Sequence, residues 1–139
     1  MSVGPFPFWG LMARVKFNPR TKNGSRRRGN RARLKAEGRP CWICQTFGRY
    51  AAIDYSLPAR HPAAFEVDEL VPVSRWREGG YRSAEECAND YANLAATHRA
   101  CNQWRGNKSV EEVRAIASGR QRKSAGGRGD LPLPQPWEL

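Results

Sequence analysis

The chain has 139 residues, a length that suits one domain. Hydrophobic residues make up 40% of it, slightly low for a globular protein, so we expect a small core that needs a disulfide or metal staple. The formal net charge of +11 predicts a polyanionic partner, most often nucleic acid, and no apolar run approaches the roughly 20 residues of a membrane-spanning helix.

A basic surface also suits anionic membranes or ribosomes, so charge alone does not select nucleic acid. Residues 1–12 are largely aromatic and apolar, but they include two prolines and follow no basic residue, a poor pattern for a signal peptide. We therefore expect a cytoplasmic location and no membrane partner. In a reducing compartment, the four cysteines favour metal or redox chemistry over disulfides.

Residues 1–38 form a predicted basic arm, in which ten basic residues precede the first acidic one, Glu37. Ser25 is a candidate N-cap for a short basic helix that Gly38 and Pro40 would end. The arm is interpreted as a phosphate-binding element, and the alternative is a solvated tail that aids solubility. The DNA-contact candidates in the arm are Arg26, Arg27 and Arg28.

Residues 39–118 form the predicted domain. Loose alternation over residues 65–71 predicts a strand that Pro72 ends, and residues 91–96 predict a second, short strand. The segment between them, residues 74–90, is polar and contains a Gly-Gly pair, so a long loop is predicted there.

Two helices are predicted in the second half of the domain. The first runs from Arg99 to about Gly106, and the second begins after Ser109, which forms a capping box with Glu112. Gly119 is predicted to end the second helix. Residues 119–139 are basic and then rich in proline, and they predict a flexible, extended tail.

Two short motifs predict a structural zinc site. Cys41 and Cys44 form a Cys-x-x-Cys pair, and His98 and Cys101 form a His-x-x-Cys pair. Each pair places two soft ligands on one turn or helix start, so together they can complete a tetrahedron around Zn²⁺. The alternatives are a thioredoxin-type redox pair, which lacks its βαβ context here, and unliganded structural cysteines.

The remaining cysteine and histidine have less specific interpretations. Cys87 lies in the polar segment and is interpreted as a bystander rather than a metal ligand. His61 is followed by proline and is expected at the surface, with a metal-binding role as the minor alternative.

A series of motifs lies between and after the two half-sites. In chain order they are Asp68-Glu69-Leu70-Val71-Pro72, Gly79-Gly80, Asn93-Leu94, Asn102 and Arg105-Gly106-Asn107-Lys108. Over residues 40–108, about half the chain, this order resembles the HNH endonuclease family, in particular the zinc-bearing form found in phage genomes.

The resemblance implies an α+β fold, a small ββα-metal domain stapled by zinc, that cleaves or nicks DNA. It implies that Asp68 and Asn102 hold a catalytic Mg²⁺ or Mn²⁺, that position 69 is the general base, and that Asn93 holds the base-bearing loop. Family members of this layout often lie beside phage DNA-packaging genes, so the resemblance also suggests packaging proteins as partners.

The chemistry is consistent with these roles. Phosphodiester hydrolysis needs an activated water and a cation that stabilises extra negative charge. A carboxylate and an amide oxygen are hard ligands, which suit Mg²⁺ or Mn²⁺. Because neighbouring residues of a regular strand face opposite sides, Asp68 and Glu69 need a bulge or strand end to serve one site.

This sequence has Glu69 where the family has its catalytic histidine. Free glutamate, with a pKa of about 4.3, is a weaker base than free histidine, at about 6.5. Glu69 therefore has three interpretations: the base, a further metal ligand, or the mark of an inactive relative. In the last case the protein is a noncatalytic, zinc-stabilised nucleic-acid-binding module; an RNA-directed nuclease is a third hypothesis.

Each site residue also has a plain structural interpretation. Asp68 and Glu69 can form an acidic pair on a strand edge, Asn93 can serve a turn, and Asn102 can cap a helix. Three basic residues on or after the helix predicted to begin at Arg99 are expected to face phosphates: Arg99, Arg105 and Lys108. The alternative is that they are cations placed at a helix end for electrostatic reasons. The tryptophans expected to serve in packing are Trp42, Trp76 and Trp104.

Overall fold

The computed structural model describes residues 24–122, which form a mixed fold of helices around one small antiparallel sheet. The α-helices and strands are α1 (Gly24–Glu37), α2 (Trp42–Thr46), β1 (Phe65–Glu69), α3 (Ala84–Asn89), β2 (Leu94–His98), α4 (Arg99–Arg105) and α5 (Val110–Arg122). Two 3₁₀ helices lie at Val73–Gly79 and Tyr91–Asn93.

The sheet consists of β1 and β2, paired with Phe65 opposite His98 and Glu69 opposite Leu94. Both predicted strands are present with different ends. β2 starts at Leu94 because the preceding residues form a 3₁₀ turn, in which the Asp90 side chain accepts a hydrogen bond from the Ala92 amide. The pairing therefore places His98, a zinc-ligand candidate at the end of β2, opposite Phe65 at the start of β1.

The basic helix is present as α1, with Ser25 inside the first turn rather than at an N-cap. Leu34 is its buried residue and packs with Phe65 and Leu94 of the sheet. Gly38 follows the helix with φ of 63°, a left-handed conformation that favours glycine. One face of α1 thus lies on the sheet while most of its arginines face solvent.

The prediction of a long loop over residues 74–90 is wrong. The 3₁₀ helix Val73–Gly79 and helix α3 occupy this segment, and Ser83 caps α3 by accepting a hydrogen bond from the Glu86 amide at 3.0 Å. Cys87 and Ala88 of α3 are fully buried against Val73. Helix α3 has only six residues, so its few apolar side chains do not form a helical pattern that can be recognised in the sequence.

The capping box of α5 is confirmed, because the Glu112 amide donates to Ser109 Oγ and the Ser109 amide donates to Glu112 Oε1. The prediction that Gly119 ends this helix is wrong, since α5 continues to Arg122. A glycine inside a helix costs only about 1 kcal/mol relative to alanine, which a helix can tolerate. The rest of the predicted tail and residues 1–23 of the arm lie outside the described residues.

The largest buried cluster surrounds the predicted zinc ligands. Phe47, which follows α2, and Val113 and Ala117 of α5 pack with the three cysteines of the predicted zinc site. The Trp104 ring meets Phe47 edge-on at 5.5 Å. Among residues 24–122, no helix is long and apolar enough to cross a lipid bilayer.

Candidate functional site

The two predicted zinc half-sites meet in the interior. The ligand atoms of Cys41, Cys44, His98 and Cys101 all lie within 4.8 Å of one another, and all four residues are buried. Cys44 Sγ is 3.5 Å from His98 Nδ1 and 3.6 Å from Cys101 Sγ. The group can hold a structural zinc ion. Cys41 caps α2, while His98 precedes α4, so two helix starts supply the ligands.

The ring orientation of His98 suits this use. Its Nε2 lies 2.9 Å from the Ala52 carbonyl oxygen. If Nε2 carries the proton and donates to that carbonyl, Nδ1 keeps its lone pair toward the sulfurs. An outer hydrogen bond of this kind fixes both the tautomer and the direction of a metal-binding histidine.

The electrostatics of the group favour negative charge on sulfur. Hydrogen bonds from Cys101 and Cys44 hold the pKa of Cys41 well below its usual range, and the same sulfur contacts raise the pKa of Cys101. Burial by itself lowers the pKa of His98, but hydrogen bonds with Cys41 and Cys44 outweigh it and raise that pKa to about 10. Without a metal ion, these residues therefore share protons with one another, and a divalent cation would replace those protons, since its ligands are thiolates and a neutral imidazole.

The other cysteine and histidine of the described chain lie outside this group. Cys87 is fully buried, and its thiol donates toward the Val71 carbonyl oxygen at 3.4 Å. His61 Nδ1 accepts a hydrogen bond from the Ala63 amide at 3.0 Å. Both therefore have local structural partners.

An open cleft of about 480 Å³ lies at the end of β1. Asp68, Glu69 and Asn102 line it together with Arg27 of α1. Asp68 and Glu69 are the last two residues of the strand, where the chain leaves the sheet, so adjacent side chains both reach this one cleft. The three residues implied as metal ligands and base are thus brought together.

Asp68 is held by two donors. Its Oδ2 accepts hydrogen bonds from Arg105 Nη1 at 2.6 Å and from Trp42 Nε1 at 2.8 Å. Burial raises the pKa of Asp68, and the Arg105 charge opposes that rise. Its Oδ1 forms no hydrogen bond with residues 24–122 and is not enclosed, so this oxygen is available to a ligand in the cleft.

Trp42 therefore does more than pack. It lies between the zinc-ligand candidates Cys41 and Cys44, and its indole N–H connects that turn to the acidic cleft. Sequence reasoning missed this contact because the two partners are 26 residues apart and the sequence of a Cys-x-x-Cys turn does not indicate where the intervening side chains point.

Arg105 does not face DNA, and that prediction is wrong. Its side chain is fully buried, where it pairs with Asp68 and donates to the carbonyl oxygens of Glu69 at 2.7 Å, Leu70 at 2.5 Å and Lys108 at 2.9 Å. The guanidinium thus ties α4 to the end of β1. The sequence carries no local signal for this role, because the carboxylate that Arg105 meets is 37 residues away.

Glu69 lies 3.5 Å from Arg27, measured from Oε2 to Nη1. Arg27 also donates to the Ala88 carbonyl oxygen at 3.0 Å, so it is anchored between α1 and α3 at the wall of the cleft. One of the three predicted DNA contacts in the arm is therefore an internal partner of the candidate base. Arg26 and Arg28 are exposed.

Asn93 fixes the chain that follows Glu69. Its Oδ1 accepts from the Val71 amide at 2.9 Å and its Nδ2 donates to the Val71 carbonyl oxygen at 3.1 Å, while the Leu70 amide donates to its backbone oxygen. Asn93 is buried and also contacts Cys87. These hydrogen bonds fix the position of Leu70 and Val71, which follow β1.

Asn102 lies on α4 and faces the same cleft. Its Nδ2 donates to Glu66 Oε1 at 3.0 Å, which turns the amide oxygen away from Glu66. That oxygen forms no hydrogen bond within residues 24–122 and is not enclosed. Asp68 and Asn102 thus each present one oxygen without a hydrogen-bond partner in the described chain, and oxygen is the ligand type that hard divalent cations take.

The two other predicted phosphate-facing cations have protein partners. Arg99 pairs with Glu66 at 3.4 Å and donates to the Arg60 carbonyl oxygen. Lys108 donates to the Trp104 carbonyl oxygen at 3.1 Å and lies over the Trp104 ring. Lys108 follows the C-terminal end of α4, where the helix dipole favours a cation, whereas Arg99 is the first residue of α4 and is held by Glu66 instead.

Comparisons of this chain with protein-family models, with curated proteins and with solved structures find no match. The geometry of the cysteine–histidine group and of the adjoining acidic cleft is therefore the basis for assigning a function.

Proposed function

We propose that this protein is a zinc-stabilised, metal-dependent DNA endonuclease of the HNH type that hydrolyses phosphodiester bonds with a single divalent cation. The observation that carries the proposal is one cleft lined by Asp68, Glu69 and Asn102, with two partner-free oxygens beside a buried Cys/His group. A phage-encoded enzyme acting on DNA during packaging is part of this proposal, on the resemblance alone.

Asp68 and Asn102 would hold a Mg²⁺ or Mn²⁺ ion. When bound, the cation supplies positive charge to the phosphate and the leaving oxygen. Glu69 accepts the proton of the attacking water. Arg27 orients the Glu69 carboxylate from the cleft wall, and Asn93 keeps the end of β1 in place by clamping Val71.

The first test is cleavage of supercoiled plasmid with Mg²⁺, with Mn²⁺ or without divalent cation. We expect metal-dependent nicking by the wild-type protein and a loss of about 100-fold or more in Glu69→Gln, because general-base catalysis contributes 10²–10⁴-fold. Asn93→Ala should also lose activity, through displacement of the strand end. Arg114→Ala, an exposed change on α5, is the matched control and should cut normally.

The outcomes of this test are distinct. Nicking that is unchanged in Glu69→Gln would show that another group activates water. A wild-type protein that retains zinc and DNA affinity but cuts under no metal would reject the nuclease proposal.

A second candidate function is a noncatalytic, zinc-stabilised nucleic-acid-binding module. The observation in its favour is that both acids already have cationic partners, Arg105 for Asp68 and Arg27 for Glu69. Such pairs satisfy the buried carboxylates without a divalent cation.

Metal counting separates the two candidates. By Mn²⁺ titration with electron paramagnetic resonance, we expect one Mn²⁺ site per zinc-loaded chain. The site should weaken by at least about tenfold in Asp68→Asn, because the substitution removes the charged ligand. Glu85→Gln, which alters an acid outside the cleft, is the control. Absence of any Mn²⁺ site in the wild-type protein favours the noncatalytic module.

A further inference from the structure

A second cavity, of about 430 Å³, lies between α1 and the sheet. It shares Arg27 and Val67 with the acidic cleft, so the two openings adjoin along one wall. Its floor includes the apolar side chains of Phe65 and Leu94, while α1 supplies a polar, basic wall.

Arg27, Arg28, Arg31 and Arg105 divide into two groups by their partners. Arg27 and Arg105 are used internally, as shown by their bonds to carbonyl oxygens and carboxylates. Arg28 and Arg31 line the second cavity, are exposed, and donate no hydrogen bond to any residue between 24 and 122. Arg31 lies over the Phe65 ring at 4.9 Å, which places its guanidinium above the apolar floor.

The one acid of the cavity is already engaged. Glu66 accepts a hydrogen bond from Asn102 through Oε1 and pairs with Arg99 through Oε2 at 3.4 Å. The charge left for a ligand is therefore that of Arg28 and Arg31, with ten guanidinium N–H donors between them. An anion with an apolar portion complements this surface.

We infer that this cavity binds the nucleotide unit that adjoins the scissile phosphate of a DNA strand, with its phosphodiester on Arg28 and Arg31. The sugar's apolar face lies toward Val67, the half-buried apolar side chain that this cavity shares with the acidic cleft. The inference rests on the proposed function for the identity of the strand. It assigns substrate binding to the sheet-facing side of α1, whereas Arg26 lies outside this cavity.

The test measures binding separately from cutting. Anisotropy of a fluorescent DNA duplex is recorded over a range of NaCl concentrations without added divalent cation, for the wild type, Arg28→Ala/Arg31→Ala and Arg82→Ala/Arg114→Ala. The control pair removes two exposed arginines that line neither opening. Thermal melting and zinc content should match the wild type in both, because the altered side chains are exposed.

For the cavity pair we expect affinity to fall by about tenfold or more. The slope of log K against log salt should decrease by about 0.9, because the two arginines share one phosphodiester and each phosphate contact contributes about 0.9. The control pair should change the slope far less. Equal effects of the two pairs, or none for the cavity pair, would overturn the inference. So would a wild type that does not bind DNA, whereas binding without cutting would reject only the enzymatic proposal.

Discussion

Arg105→Ala is expected to destabilise the folded domain by about 3–5 kcal/mol, the usual cost of removing one partner of a buried ion pair. The substitution leaves Asp68 buried without its cationic partner and removes the donors to the Glu69, Leu70 and Lys108 carbonyl oxygens. Urea denaturation of the zinc-loaded protein, followed by circular dichroism, measures the free energy of unfolding.

Two variants make this expectation specific. Arg99→Ala removes a partly exposed arginine of the same helix and should cost less than about 1 kcal/mol beyond lost packing. Asp68→Asn/Arg105→Met removes both charges, so it should be more stable than Arg105→Ala even if the single variant does not fold. An Arg105→Ala protein as stable as Arg99→Ala would contradict the structural role.

Loss of one zinc ligand is expected to have a still larger effect. Zinc binding in small domains contributes about 10–16 kcal/mol, comparable to or above the 5–15 kcal/mol of total stability that domains have. Cys44→Ser, or chelation of the wild-type protein, should therefore abolish the cooperative thermal transition. Elemental analysis should give one zinc per wild-type chain.

Cys87→Ala is the control for this experiment, because Cys87 is an equally buried thiol outside the group. It should retain zinc and a cooperative transition with a modest loss of stability. Adding Zn²⁺ back to the chelated wild-type protein should restore its cooperative thermal transition. A chelated protein that melts like the untreated one would show that the core folds without metal.

The parts of the site that sequence reasoning located are those coded by local patterns. The Cys-x-x-Cys and His-x-x-Cys pairs define their own turns, and β1 follows from alternation that ends before Pro72. The capping box of α5 is likewise local, since Ser109 and Glu112 are three residues apart. Each pattern dictates a structure within a few residues, so no tertiary information is needed.

The parts that were missed depend on pairing across the chain. Arg105 finds its carboxylate 37 residues away, and nothing near it in the sequence distinguishes a buried guanidinium from an exposed one. Helix α3 is stabilised by burial of Cys87 and Ala88 under Val73, a contact that forms only once the chain has folded. The assignment of Arg31 to a cavity required the position of α1 on the sheet.

The indole of Trp42 has a consequence for the order of events during synthesis. Its turn is translated more than 50 residues before His98 and Cys101, the ligands that complete the Cys/His group. Asn102 and Arg105, which complete the cleft, come directly after them. A nascent chain therefore lacks both the complete Cys/His group and the complete acidic cleft until Arg105 has been translated, so the cleft forms together with the group that anchors Trp42.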